Sequence, residues 1–390
     1  MIELELWYLV LLPLLFAAGW WLRGVDARQR GAEGDGGPRA YFRGLNYLLN
    51  EQPDKAIDAF IEVVKLDPET VELHFALGNL FRRRGEIDRA VRIHTHLLNR
   101  ADLPSRSRAD ALAELGQDFL KGGLLDRAED SFTRLLDEPR HRVEALRSLL
   151  RIFQLEREWD RAIDIARRLE REAGESSHQQ VAHFHCESAE RARAAGDDEA
   201  ARGHVEQALR VHRRSVRAAI LAGDLAARRG DSEEAIGHWR HVGEASPEYL
   251  PLVAGRLADA LDAVGRRDEA LNFLRRSLLD HPSIDLLDAA YGRVAAWEGP
   301  AAAEMLLRDE LQRHPSLLGF ERLLASRAPG AFGDVQLESL RALIQAQARK
   351  LARYRCSRCG FRAREFHWQC PGCTGWDSYP PRRIEELDTQ

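Results

Sequence analysis

Small and apolar positions recur along this chain with a period near 34 residues. Gly44, Gly78, Gly116, Leu150, Ala189, Gly223, Ala258 and Gly292 stand in one register, at spacings of 34, 38, 34, 39, 34, 35 and 34. Twelve residues after each of the first seven comes an alanine, at Ala56, Ala90, Ala128, Ala162, Ala201, Ala235 and Ala270. One helical turn further on there is usually a larger side chain, such as Phe60, Phe132 or Trp239. A small residue on one helix and an alanine on the next let antiparallel helices approach, while the larger side chains fill the gaps between neighbours. Turn residues separate the two helices, in Arg84-Gly85-Glu86, Gly122-Gly123, Gly196-Asp197-Asp198 and Gly230-Asp231, and Pro68, Pro247 and Pro282 close three units.

Each hairpin is too small to bury its own apolar face. The pattern therefore predicts a stack, an all-α superhelical solenoid over residues 40–318 with a concave groove lined by first helices. Units four, five and eight depart most: Leu150 replaces the small residue, Ala192 the aromatic, and Glu304 the packing alanine. The stretches LHFALGNLFRRRGEIDRAVRIH (Leu73 to His94) and LAGDLAARRGDSEEAIGHWRHVGEASP (Leu221 to Pro247) resemble the tetratricopeptide repeat. That resemblance implies a groove for peptides or proteins. Phe75, Asn79, Arg82 and Arg83 fall at groove-facing positions, an aromatic with an amide and cations suited to an acidic or C-terminal peptide. The competing reading gives Asn79 a local hydrogen bond and leaves the arginines in solvent.

The two ends break the pattern. Leu6 to Leu22 runs seventeen residues without a charge, about the minimum for a bilayer span, with Trp7, Tyr8, Trp20 and Trp21 at its ends. A cleaved signal would need a basic leader, and the residues before the run are Glu3 and Glu5; Arg23, Arg28 and Arg30 follow it. The expectation is a retained transmembrane helix over residues 1–22, the bulk of the chain facing the cytoplasm by the positive-inside rule. A glycine- and acid-rich tether over 23–39 leads into the repeats. After them a helical connector over 319–352, with a helix at 320–352, leads to a terminal module at 353–390.

Composition fits a folded, helix-rich protein: 44% apolar and 31% charged residues, with 15 prolines in 390 residues. A net charge of −5 argues against a globally basic nucleic-acid binder. No Walker lysine motif, Gly-x-Ser-x-Gly elbow or His-Glu-x-x-His helix occurs, which weakens enzyme readings. His183 and Cys186, three apart in HFHC, share a helix face without further ligands and read as packed repeat residues.

The specific chemistry is in CSRCGFRAREFHWQCPGCTGW, residues 356 to 376. Each Cys-x-x-Cys turn lets two thiolates converge, so Cys356, Cys359, Cys370 and Cys373 form a candidate tetrahedral site for one iron or zinc ion. Gly360 and Gly372 are expected to permit the tight turns. A hairpin from Phe361 to Trp368 is expected between the pairs, with Phe366, Trp368, Trp376 and Tyr379 as a miniature core. So small a module needs the metal to fold. Arg349, Lys350, Arg353, Arg355, Arg358, Arg362 and Arg364, with no acid between them, leave nucleic acid open but suit inner-membrane lipid or an acidic protein better.

The CPGC knuckle resembles that of rubredoxins, with a much shorter insert between its pairs. The whole architecture resembles the lipopolysaccharide assembly protein B family of Gram-negative bacteria, through GNLFRRRGEIDRA, DRAED (Asp126 to Asp130), AHFHCE (Ala182 to Glu187), YRCSRCGF and CPGC. The resemblance implies an inner-membrane, single-pass adaptor, not an enzyme, that regulates lipopolysaccharide biosynthesis. It implies three kinds of protein partner: the membrane-anchored AAA+ zinc protease, the deacetylase that commits precursor to lipid A, and lipopolysaccharide transport proteins. Deacetylase degradation would be promoted by delivery to the protease, and nucleic acid is not expected. A scaffold that assembles these proteins without directing proteolysis, and a rubredoxin-like electron carrier, are the other two readings.

Overall fold

The computed structural model describes residues 42–44, 46–47, 50, 52–66, 70–326 and 335–388. The expected anchor, the tether and Pro68 lie outside the described residues. Among those described, no helix is long and apolar enough to cross a membrane. The chain forms two compact units, Met1–Gly174 and Glu175–Gln390.

The first unit is a run of helical hairpins: Pro53–Leu66, Val71–Arg84 with Ile87–Leu98, Ser105–Lys121 with Leu125–Arg134, and Arg142–Glu156 with Trp159–Ala173. The second continues the pattern with His178–Ala194 and Asp198–Val211, Val216–Arg228 and Ser232–Ala245, Ala254–Ala263 and Arg267–Asp280, and Ile284–Trp297 and Pro300–Arg313. In place of one helix over 320–352 there are two, Leu317–Ala325 and Val335–Leu351; the first ends at Ser326.

The repeat works by volume matching at two positions sixteen residues apart. All seven predicted packing alanines have 0% exposure. A Cβ built on Gly44 or Gly116 would lie 2.9 Å from the ring of Phe60 or Phe132, and on Gly78 or Gly223 closer still to His94 or Trp239. Unit four reverses the sizes, with Leu150 opposite Ala166, and Ala189 and Ala258 face the mid-sized Val205 and Leu274, all of these buried. Leu150 is therefore compensated within its own unit. Gly223→Ala is expected to cost about 2 kcal/mol by overpacking against Trp239. Thermal melts of Gly223→Ala, Trp239→Val and the double variant should show the double losing less than the sum of the two single losses, and additive losses would contradict the volume rule.

Unit eight also keeps a packing alanine, but at Ala303 rather than position 304. Its second helix starts directly after the left-handed Gly299, one residue sooner than in the other units, so Ala303 is fully buried and Glu304 bonds Arg308 at the surface. In units two to eight the turn after the first helix puts one residue in the left-handed region, as at Gly85 (φ 86) and Gly230 (φ 82). In unit four Arg157 takes that place, at φ 58.

Candidate metal centre and its seat on the repeats

Two short strands, Tyr354–Arg355 and Arg362–Ala363, pair antiparallel across the first knuckle, Tyr354 opposite Ala363 and Arg355 opposite Arg362. A bridge between Gln369 and Trp376 does the same across the second. The strands thus flank the knuckles, which corrects the expected hairpin between the cysteine pairs. In each turn the amide of the residue after the second cysteine closes back on the first cysteine: Gly360 N donates to Cys356 O at 3.0 Å and Thr374 N to Cys370 O at 2.8 Å. The left-handed residues are Gly360 (φ 74) and Thr374 (φ 56), one after each second cysteine. Gly372 is not in that region; a Cβ there would sit 3.2 Å from Phe361, so its role is close approach.

The four Sγ atoms lie within 4.8 Å of one another, with Cys356 to Cys373 at 3.8 Å and Cys359 to Cys370 at 3.6 Å. A tetrahedral ion with metal–sulfur bonds of about 2.3 Å needs sulfur–sulfur edges of about 3.8 Å. The thiols are arranged for that ion. Burial works against ionising Cys356, but the Ser378 hydroxyl and the amides of Cys359 and Arg358 outweigh it and hold the thiol at about 6. The module holds one metal ion in this four-cysteine site, and all four ligands come from the chain, the closed coordination of a structural site.

The module's core is Tyr354, Cys356, Cys370 and Tyr379, with Phe366 packed against it. Trp368 and Trp376 are not part of it. They face the repeats of the second unit and form a seat. Trp376 stacks on His183 (4.7 Å, 16°), and Trp368 stacks on Tyr249 (5.6 Å, 9°). Arg217 has its guanidinium 5.8 Å from the Trp376 ring and 6.0 Å from that of Trp368, and pairs with Glu187 and Glu190 at 2.8 Å each.

The polar contacts follow the same edge, the N-terminal ends of successive first helices. Asp377 accepts hydrogen bonds from His183 Nε2 (2.7 Å) and Gln179 Nε2 (2.6 Å). Burial alone would raise its pKa; those two partners and Arg217 hold it below the usual carboxylate range. Asp285 accepts from the Tyr354 hydroxyl (2.7 Å) and from Arg383 through both Nε and Nη2. Glu386 accepts from Ile284 N (2.6 Å), and Glu385 from the amides of Leu317 and Leu318. A carboxylate at a helix N-terminus meets unpaired amides and the positive end of the dipole. The terminal Ile384–Asp388 helix thus caps the last first helix of the repeats, Ile284–Trp297, and the connector helix Leu317–Ala325.

His183 is therefore a docking residue rather than an ordinary repeat histidine. Its neighbour Cys186 is packed as expected, with burial pushing its thiol up to about 12. Sequence reasoning missed Arg217, Tyr249, Asp285, Asp377 and Arg383. One signal was available for Arg217: it is the lone charge in VRAAILAG, where an apolar face otherwise runs through the first turns.

The predicted groove residues lie in the first unit. Phe75 packs with Leu97, Leu103 and Ala111, and its ring is 6.0 Å from that of His94. Arg82 donates to Asn79 (2.6 Å), to Asp118 (2.9 Å) and to Glu114. Asp118 in turn holds buried His94 through its other oxygen. Asn79 has the local bond of the competing reading, and Arg82 spans two repeats. Arg83 is exposed.

Stacked helical hairpins and a closed four-thiolate clasp define a tetratricopeptide-repeat protein with a terminal rubredoxin-type metal module. Residues 43–93, 113–177 and 186–240 match the family described as tetratricopeptide repeat, and residues 354–380 that described as rubredoxin metal binding domain. Lipopolysaccharide assembly protein B of Escherichia coli (strain K12) is 35% identical over 384 residues, 97% of this chain and 98% of that protein. The protein of the same name from Haemophilus influenzae is 30% identical, across 98% of this chain and 99% of its own. The chain belongs to the lipopolysaccharide assembly protein B family. Among solved structures it is similar to the TPR2AB domain of yeast Sti1, at 18% identity and a TM-score of 0.32 over 71% of this chain and 97% of that one.

Proposed function

We propose that this chain is a membrane-tethered adaptor in lipopolysaccharide assembly. Its repeats bind partner proteins and its metal module acts as a structural clasp. The observation that carries this reading is the spent geometry of the terminal module. Four protein thiolates complete the coordination, and both tryptophans and three carboxylates are committed to the repeat edge. Such a module has a fold to hold in place, and the repeat surface is left for recognition. Full-length similarity to lipopolysaccharide assembly protein B supports the cellular context.

In finer detail, the reading takes the partners to be the membrane-anchored AAA+ zinc protease, the lipid A-committing deacetylase and lipopolysaccharide transport proteins. The N-terminal apolar segment serves as an inner-membrane anchor with the repeats on the cytoplasmic side. Tethering partners to one membrane raises their effective concentration, so a weak groove contact suffices for delivery. Bond-making stays with the partners. The test is deacetylase abundance in cells whose only copy lacks residues 1–22: abundance should rise several-fold, and an unchanged level would overturn the delivery step. Crosslinking that captures transport proteins but never the protease would favour the scaffold instead.

A further inference from the structure

In the first unit, two concavities share a wall made by Arg82 and Gln117. One, of about 600 Å³, is lined by Asp110, Glu114 and Glu144, with Arg82 and His141 as its basic side chains and Phe75 on its wall. The other, of about 570 Å³, is lined by Arg82, Arg83, Lys121 and Arg151, with Gln117 and Leu120, and has no acid. Together they make one groove across the first helices Val71–Arg84, Ser105–Lys121 and Arg142–Glu156, acidic toward the helix starts and basic toward the ends.

The two halves differ in how their charges are used. In the acidic half His141 bonds Asp110 (2.8 Å), Arg82 bonds Glu114, and Arg147 approaches Glu144 only to 3.8 Å. In the basic half Arg83, Lys121 and Arg151 have no carboxylate partner among the described residues, although Arg82 and Arg84 on either side of Arg83 do. In the second unit, comparable first-helix charges pair across repeats, as Arg293 does with Asp259 and Arg322 with Asp288. Helix ends favour cations in general. Three unpaired cations converging on one concavity without an acid, beside the paired Arg82, are the arrangement that a bound anion completes.

Resting on the groove reading above, we infer that this groove takes an extended peptide segment of a partner protein, carrying acidic residues or a terminal carboxylate at one end and a basic residue at the other. The acidic end sits among Arg83, Lys121 and Arg151, the basic end by Asp110, Glu114 and Glu144. From Asp110 to Lys121 the helix rises about 16 Å at ~1.5 Å per residue. That is about five residues of extended chain at ~3.3 Å each. The groove therefore selects a spacing as well as a composition.

The test uses fluorescein-labelled peptides and the purified full chain in detergent, read by anisotropy at low salt. One lysine and two glutamates are separated by four serines, in both chain directions, and a control places the lysine beside the glutamates. One spaced peptide should bind at least about tenfold more tightly than the control, and a Lys121→Glu, Arg83→Glu variant with an unchanged melting temperature should lose that advantage. Equal affinity for spaced and adjacent peptides, no binding of either, or undiminished preference in the variant overturns the inference. Deacetylase abundance in cells carrying the same variant separates the two claims. Lost peptide preference with unchanged abundance would sink the delivery function alone; a rise in abundance without any spacing preference would sink the polarised groove alone.

Discussion

Replacing both Cys356 and Cys359 with Ser is expected to remove the bound metal and unfold residues 353–388, leaving the helical hairpins standing. The expectation follows from what the module has for a core. Of its four buried core residues, Cys356 and Cys370 are themselves ligands, and only Tyr354 and Tyr379 remain to hold so few residues together. Structural tetrathiolate sites supply about 10–16 kcal/mol of apparent folding free energy near pH 7, far more than two tyrosines can replace. Metal analysis should fall from one equivalent of zinc or iron to none. Hydrogen exchange should speed up at the amides of Ile284, Leu317 and Leu318, which lose their Glu386 and Glu385 caps. The hairpins before residue 174 give an internal reference. Retained protection at Ile284 and Leu318 in a metal-free variant would show that the module folds without its ion.

Arg217→Met is the second change with a large expected effect. The arginine is 3% exposed. Burial disfavours its charge, but Glu190 and Glu187 outweigh that and keep it protonated. Without it those carboxylates face each other beneath two tryptophans. Breaking a buried pair costs about 3–5 kcal/mol. Here the glutamate side chains are 25% and 37% exposed, so water recovers part of that, and about 2–3 kcal/mol is expected. For a unit of this size that is a fall in melting temperature of about 5–10 °C. Loosening of Trp368 and Trp376 should appear in their fluorescence. Arg217→Lys should recover the charge without the planar guanidinium beside the two rings, landing between wild type and Met. Equivalence of Lys and Met would mean that charge plays no part in the seat.

Much of this fold was legible because a repeat states its packing rule several times. The seven alanines and the large residues four positions later are local in sequence and share one physical cause, the closeness of two helices. Unit eight was misread by one residue because its second helix starts one residue sooner after the left-handed Gly299 and brings Ala303 into the packing place, and a fixed spacing cannot register that shift. The knuckle cysteines were legible for a similar reason, since Cys-x-x-Cys brings two thiolates together without help from the rest of the chain. The left-handed residue of the second knuckle was misassigned to Gly372 because Thr374 carries no glycine signature.

Sequence by itself determined the hairpin repeat and the four metal ligands, because each is decided within about 40 residues by helical periodicity, turn chemistry and thiol spacing. Only the tertiary structure decided what the terminal module rests on. His183 and Asp377, 194 positions apart, meet because stacking brings successive first-helix ends to one edge, where unpaired amides attract carboxylates. The same stacking sets Trp368 and Trp376 against Tyr249 and His183 rather than in the knuckle's own core. It also gathers Arg83, Lys121 and Arg151 from three helices into one basic concavity. Contacts between distant segments depend on how many repeats intervene and how each is turned, and no short window of residues carries that sum.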